Sequence, residues 1–147
     1  MAFPKDEGQW LAGFDRIHKN TAVEFFDITL DAIDDDKIEL LMPIRDKTRQ
    51  PFGLLHGGVS MMLAETAASV HATWGIDVSE KVPVGIEING SHVRSASEGA
   101  VRAVGRVVRR SRSMVVHLVE IIHEDTGKML CSARVTNYYK PLRKEEE

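Results

Sequence analysis

Glu65 is the only Asp, Glu, Lys or Arg between Arg49 and Asp77, set in the small and apolar run LLHGGVSMMLAET (54–66). Burying an unpaired carboxylate costs several kcal/mol, so a carboxylate in such a run reads as one kept for its charge. About two helical turns earlier stand His56, Gly57 and Gly58. Two glycines at a helix N-terminus leave backbone N–H groups uncovered at the positive end of the helix dipole. Such groups polarise a carbonyl and hold the oxyanion that forms when it is attacked. A carboxylate able to act as base or nucleophile, in one cavity with oxyanion donors, is what acyl transfer needs.

A helix must carry both groups, and the pattern predicts one from about Gly57 to Trp74, ended by Gly75. At 1.5 Å per residue it spans about 27 Å. On a helical wheel Val59, Met62, Leu63, Thr66 and Val70 share a broad face expected to meet a sheet. Glu65 falls with Met61, Ala68, Ser69 and Ala72 on a second, mostly small face that a partner subunit or a ligand can approach closely.

The flanking periodicities supply that sheet. Trp10, Leu11, Phe14 and Ile17 predict a short amphipathic helix over about 8–19. Alternation of Phe26, Ile28 and Leu30 predicts a half-buried strand; Asp34–Asp36 is a turn, and Ile38, Leu40 and Met42 begin a second strand. Residues 45–53 read as a loop. Four strand-like runs follow the long helix, built on Val84/Ile86/Ile88, Val101/Ala103/Gly105/Val107, the mostly apolar 114–122, and Met129/Cys131/Ala133/Val135. Asp125-Thr126-Gly127 joins the last two as a hairpin. One nearly uncharged helix followed by an antiparallel meander is buried only if the sheet curls around it. The expected fold is α+β, a curved antiparallel sheet of five to six strands around one long helix.

With 147 residues, 43% hydrophobic and 28% charged, the chain reads as one soluble domain over 1–147 with a charged tail from about 140 to 147. A net charge of −3 argues against nucleic-acid binding by bulk charge, while leaving room for a local basic patch. The start lacks the basic-then-apolar run of a signal peptide, and 57–76 is too weakly apolar for a membrane span. One cysteine, Cys131, excludes an intrachain disulfide and fits a reducing cytoplasm; by type it is strand packing. His71, His117 and His123 lack ligand spacing with one another or with Cys131, so no metal site is expected.

QPFGLLHGGVSMMLAETAAS (50–69) and VGIEINGSHVRSASEG (84–99) resemble the hotdog-fold acyl-CoA thioesterases whose central helix carries a glutamate, a PaaI-like group. That group includes 1,4-dihydroxy-2-naphthoyl-CoA thioesterases and aryl-carrier-protein proofreading thioesterases. The resemblance, which covers about 20–138, implies roles position by position. Glu65 matches the catalytic carboxylate, nucleophile on the thioester or base for water. Gly57 matches the glycine whose N–H receives the thioester oxygen, and His56 a histidine beside that oxygen and the leaving group. Gln50 matches a glutamine that orients water or the carboxylate across a subunit boundary. Ser69 matches a hydroxyl that positions acyl group or water. His92, Arg94 and Ser95 fall where the family meets the coenzyme A nucleotide, with Arg110 and Ser111 in RRSRS (109–113) a second phosphate contact. The resemblance further implies hydrolysis of an acyl-CoA or acyl-carrier-protein thioester, with an aromatic acyl group. It implies a tetramer of two dimers with shared sites, no resident cofactor, and neither nucleic-acid nor membrane partners. Two other readings stand beside it: a hotdog hydroxyacyl dehydratase, whose histidine precedes a Pro-Gly-rich turn unlike His56-Gly57-Gly58, and a non-catalytic acyl-CoA-binding module.

Overall fold

The structure, a computed structural model, describes residues 1–142. In chain order it contains α1 (Glu7–Ile17), α2 (Ala22–Phe25), β1 (Thr29–Ile33), β2 (Lys37–Pro43), a 3-10 turn (Asp46–Thr48), α3 (Gly57–Ala72), β3 (Lys81–His92), β4 (Ala100–Arg110), β5 (Met114–His123) and β6 (Met129–Pro141). The strands form one antiparallel sheet in the order β1-β2-β4-β5-β6-β3. β3 leaves α3 and pairs with β6 at the far edge, so the sheet curls round the helix. α3 packs against β2, β3, β4, β5 and β6. This is the expected hotdog architecture. Among the described residues no helix is long and apolar enough to cross a membrane.

Local chemistry sets the element ends. The Asp6 side chain caps α1 by accepting from Gln9 N–H, and Thr21 caps α2 by accepting from Val23 N–H. That second cap makes 22–25 a helical turn, so the strand expected at Phe26 begins later, at Thr29. The loop at 45–53 likewise holds the 3-10 turn. Gly75, with φ of 69°, follows the end of α3 in the left-handed region that glycine occupies without strain. Lys140 and Pro141, expected in the tail, complete β6; residues 143–147 of that tail lie outside the described residues.

The buried face of the helix is rotated from the one its wheel suggests: Leu63 and Val70 are buried as expected, but the alanines take the place of Val59, Met62 and Thr66 at its centre. Ser60, Leu63, Ala64, Ala67, Ala68, Val70, His71 and Ala72 are buried, whereas Val59, Met62 and Thr66 are only partly covered. Close wrapping favours small residues: a methyl added at Gly105 on β4 would lie 3.1 Å from Ile38 Cγ2 and 3.8 Å from Ala67 Cβ. On β3 a bulge between Gly85 and Glu87 breaks the expected alternation and leaves Ile86 58% exposed. On β6, Leu130 and Thr136 are buried rather than outward. β5 is central, as expected, yet Leu118 on its outer face is exposed.

Nothing in their spacing pairs His71 with His117, but the fold does. His71 Nε2 lies 2.7 Å from the Asp34 carbonyl, which only accepts, so this nitrogen carries the proton. His71 Nδ1 then accepts from His117 Nε2–H at 2.8 Å, and His117 Nδ1 is left buried without a partner. Burial, with the nearby Arg110 guanidinium adding repulsion, lowers both imidazoles from the usual histidine range, His117 to about 3. The unfolded chain therefore takes up protons as pH falls below about 6.5 while the folded chain does not, so stability drops from there downward. Between pH 7.5 and 5 the carboxylates stay ionised, which isolates the histidines. Unfolding free energy, and melting temperature with it, should hold near pH 7.5 and fall below about pH 6.5, the former by up to about 1.4 kcal/mol per pH unit for each imidazole kept neutral. A His117→Phe variant should show a flatter decline; an equally steep one would place the effect elsewhere.

Candidate active site

His56 enters α3 as its N-cap: its Nδ1 accepts from Gly58 N–H at 2.8 Å. With Nδ1 occupied as acceptor, the ring proton sits on Nε2, an exposed donor. Gly58 N–H is thereby used, while Gly57 N–H donates to no group among the described residues. Gly57 is there for space: a Cβ would meet His92 Nε2, at the end of β3, at 2.9 Å. Glycine thus lets an imidazole close over the helix N-terminus.

A cavity of about 260 Å³ opens at this point, lined by Gln50, Gly57, His92, Arg94 and Ser95 among others. The Gln50 side-chain oxygen accepts from Phe52 N–H, which leaves its NH2 group free to donate. Arg94 is fixed by its Nη1–H to the Met129 carbonyl at 2.9 Å. A second cavity, with Lys128 added to Arg94 and Ser95, continues it outward. Five of the residues singled out in the sequence thus surround one hollow, and His56 stands at its edge.

Glu65 and Ser69 are elsewhere. They lie about 12 Å and 18 Å further along the axis of α3, and Glu65 is exposed on the single chain rather than enclosed in the expected charge-free cavity. Its Oε1 sits over Gly85 of β3, 2.7 Å from where a Cβ would be. Ser69 Oγ donates to Asn137 Oδ1 at 3.2 Å. Beside Ser69 begins a groove of about 370 Å³ whose walls include Phe3, Trp10, Ile17, Val70, Val82 and Pro83. One chain therefore carries two separate groups of candidate residues, a polar one at the start of α3 and, further along, a carboxylate and an apolar groove beside Ser69.

Arg110 and Ser111 are at the opposite end of α3 from His92 and Arg94. Arg110 donates to Tyr139 Oη at 2.7 Å and to the His71 carbonyl at 3.4 Å, while Tyr139 donates to the Ala72 carbonyl at 3.0 Å. The pair satisfies the last carbonyls of the helix, where a cation is favoured. Ser111 closes the β4–β5 turn against Met114. Cys131 is buried, which pushes its thiol up, in keeping with packing. Among the described residues no group of three or more His, Cys, Asp or Glu side chains is placed to hold a metal ion. Sequence reasoning missed Asn137, a fully buried amide against Ser69; a polar residue at an inward-facing strand position was the available signal.

The profile of the thioesterase superfamily matches residues 52–130, from the loop before α3 into β6. The chain belongs to this superfamily. It is 42% identical over 126 residues to the 1,4-dihydroxy-2-naphthoyl-CoA hydrolase of Escherichia coli, covering 86% of this chain and 91% of that one. A crystal structure of a mutant thioesterase from Pseudomonas aeruginosa superposes with a TM-score of 0.85 at 36% identity, covering 90% of this chain and 94% of the other. A mutant thioesterase from Staphylococcus aureus gives 0.78 at 35%, over 81% and 98%. This thioesterase is accordingly a thioester hydrolase.

Proposed function

We propose that this thioesterase hydrolyses an aromatic acyl-CoA, or the matching acyl-carrier-protein thioester, at sites shared between two subunits. The observation that carries this reading is the division of the site. The oxyanion donor at Gly57 and the carboxylate of Glu65 are too far apart on one helix to act on one carbonyl, so each requires the other from a second copy. β3 offers the means: it is a 12-residue edge strand with Ile86 exposed on it and Val93 exposed just past its end, and an uncovered apolar edge is a pairing surface. The exposed Val108, Leu118 and Tyr138 on the outer face of the sheet suit a second contact, between dimers. Solved mutants of the Staphylococcus aureus enzyme change a glutamine in one case and a glutamate in another, as many residues apart as Gln50 and Glu65 are here.

In this reading the thioester oxygen takes the Gly57 N–H at the positive end of α3, with the His56 Nε2–H beside the leaving sulfur. Glu65 of the other subunit attacks the carbonyl carbon or deprotonates water, and Gln50 orients whichever attacks. Ser69 adjoins the acyl group, whose ring enters the groove between Trp10 and Val82. His92, Arg94 and Ser95 hold the nucleotide end of coenzyme A. None of these roles calls on a resident metal or cofactor.

The test is a panel of acyl thioesters followed by release of free thiol. Benzoyl- and hydroxynaphthoyl-CoA should turn over faster than short aliphatic acyl-CoAs, with no effect of chelator. The pantetheine thioester of the same acid should raise KM while leaving kcat nearly unchanged, because nucleotide contacts are the same in ground and transition states. Tight binding without turnover of any member would instead identify a binding module.

A further inference from the structure

Val115, Asn137 and Gly85 lie in one register row across β5, β6 and β3. Asn137 is 0% exposed, and its row neighbour Gly85 has no side chain. Into the space that leaves comes the Glu65 carboxylate: a Cβ at Gly85 would sit 2.7 Å from Glu65 Oε1 and 3.9 Å from Asn137 Oδ1. Ser69, one turn after Glu65, already occupies that amide oxygen as a donor at 3.2 Å. The Asn137 Nδ2 therefore carries its two N–H groups buried and without an acceptor. A buried amide nitrogen left so is costly, and few are kept in a fold. Here a carboxylate with free lone pairs shares the same gap, near enough for a side-chain rotation or one water to connect them.

We propose that Asn137 is a positioning residue for Glu65: when a second subunit closes the site, its Nδ2–H groups donate to the Glu65 carboxylate, directly or through one water beneath Gly85. The amide then joins two groups of the site. Through its oxygen it holds the Ser69 hydroxyl, and through its nitrogen it aims the carboxylate, which presents its other oxygen to the thioester. Gly85 is the opening that permits this, since any side chain there would displace the carboxylate. The inference rests on the reading of Glu65 as the catalytic carboxylate.

Asn137→Asp tests it with little change of shape: it keeps the acceptor for Ser69, removes the donors and sets a second carboxylate beside Glu65. We expect kcat to fall at least about tenfold with KM within about threefold, because the contact orients a group that acts in the transition state. Melting temperature should fall as well. In a Glu65→Gln background the same substitution should cost far less melting temperature, since the glutamine amide can donate to the new carboxylate. A purely structural asparagine would lose the same amount in both backgrounds, which would overturn the proposal. Asn137→Ser, uncharged and smaller, guards against failure to fold: it should also lower kcat with KM held, and a kcat within about threefold of wild type would overturn the proposal too. Glu65→Gln alone separates the two readings. If it keeps turnover, the role of Glu65 fails; if it is inactive while both Asn137 variants keep normal kcat, only the present inference fails.

Discussion

Glu65→Gln should abolish most thioesterase activity while leaving the protein as stable as before or slightly more so. The substitution keeps the shape of the side chain over Gly85 and one oxygen able to accept a hydrogen bond, but removes the negative charge and the basic oxygen. A positioned base contributes about 10²–10⁴-fold, and a nucleophile at least as much, so kcat should fall by that range or more. Stability should not follow. Glu65 makes no ion pair among the described residues. The single chain leaves it exposed; in the proposed dimer its cost arises where a second subunit covers it, and a neutral amide is cheaper to cover. Turnover and thermal melting should be measured on one preparation. A variant that melts lower yet turns over normally would make Glu65 a structural residue.

The helix was legible because local rules govern it. Glycines beside a capping histidine, one charge in an uncharged run, and a terminal Gly75 all act within a few residues. The six strands were legible for the same reason, through period-two alternation. What escaped depends on how the strands come together. A wheel ranked by hydrophobicity sent Val59 and Met62 to the sheet, whereas a tightly curled sheet selects the alanines at 64, 67 and 68, whose small volume lets backbones approach. Alternation placed Ile86 with Ile88, because a one-residue bulge reverses the face of every residue before it and leaves no clear trace in composition. His71 and His117 are distant in the chain and meet only when β5 crosses α3. The site divides in the same manner. Gln50, Gly57, His92, Arg94 and Ser95 are gathered by the start of α3 and the end of β3, two places that the motifs themselves mark. Asn137 belongs to no motif; its inward-facing strand position marks it as buried, but that it lies against Ser69 follows from how β6 packs on α3.

Two inactive variants should restore each other when they share an oligomer. One carries Glu65→Gln. The other carries Gln50→Ala with His56→Asn, since asparagine is a good N-cap and preserves the start of α3 while removing the imidazole. In a mixed dimer one shared site receives the faulty parts of both chains, and the other receives an intact Glu65 from one chain and an intact Gln50, His56 and Gly57 from its partner. Random pairing of equal amounts puts half the chains in mixed dimers with one working site each, so about a quarter of wild-type turnover should return. The parents should each show about a hundredth or less. Co-expression with two different affinity tags, then tandem purification, isolates the mixed species, whose activity should approach half of wild type. If each site were built within one chain, every chain in the mixture would still be broken and nothing would return. The experiment thus tests the proposed geometry: about 12 Å of helix separates Gly57 from Glu65, and the proposal has a second subunit bring the oxyanion donor and the carboxylate to the same thioester.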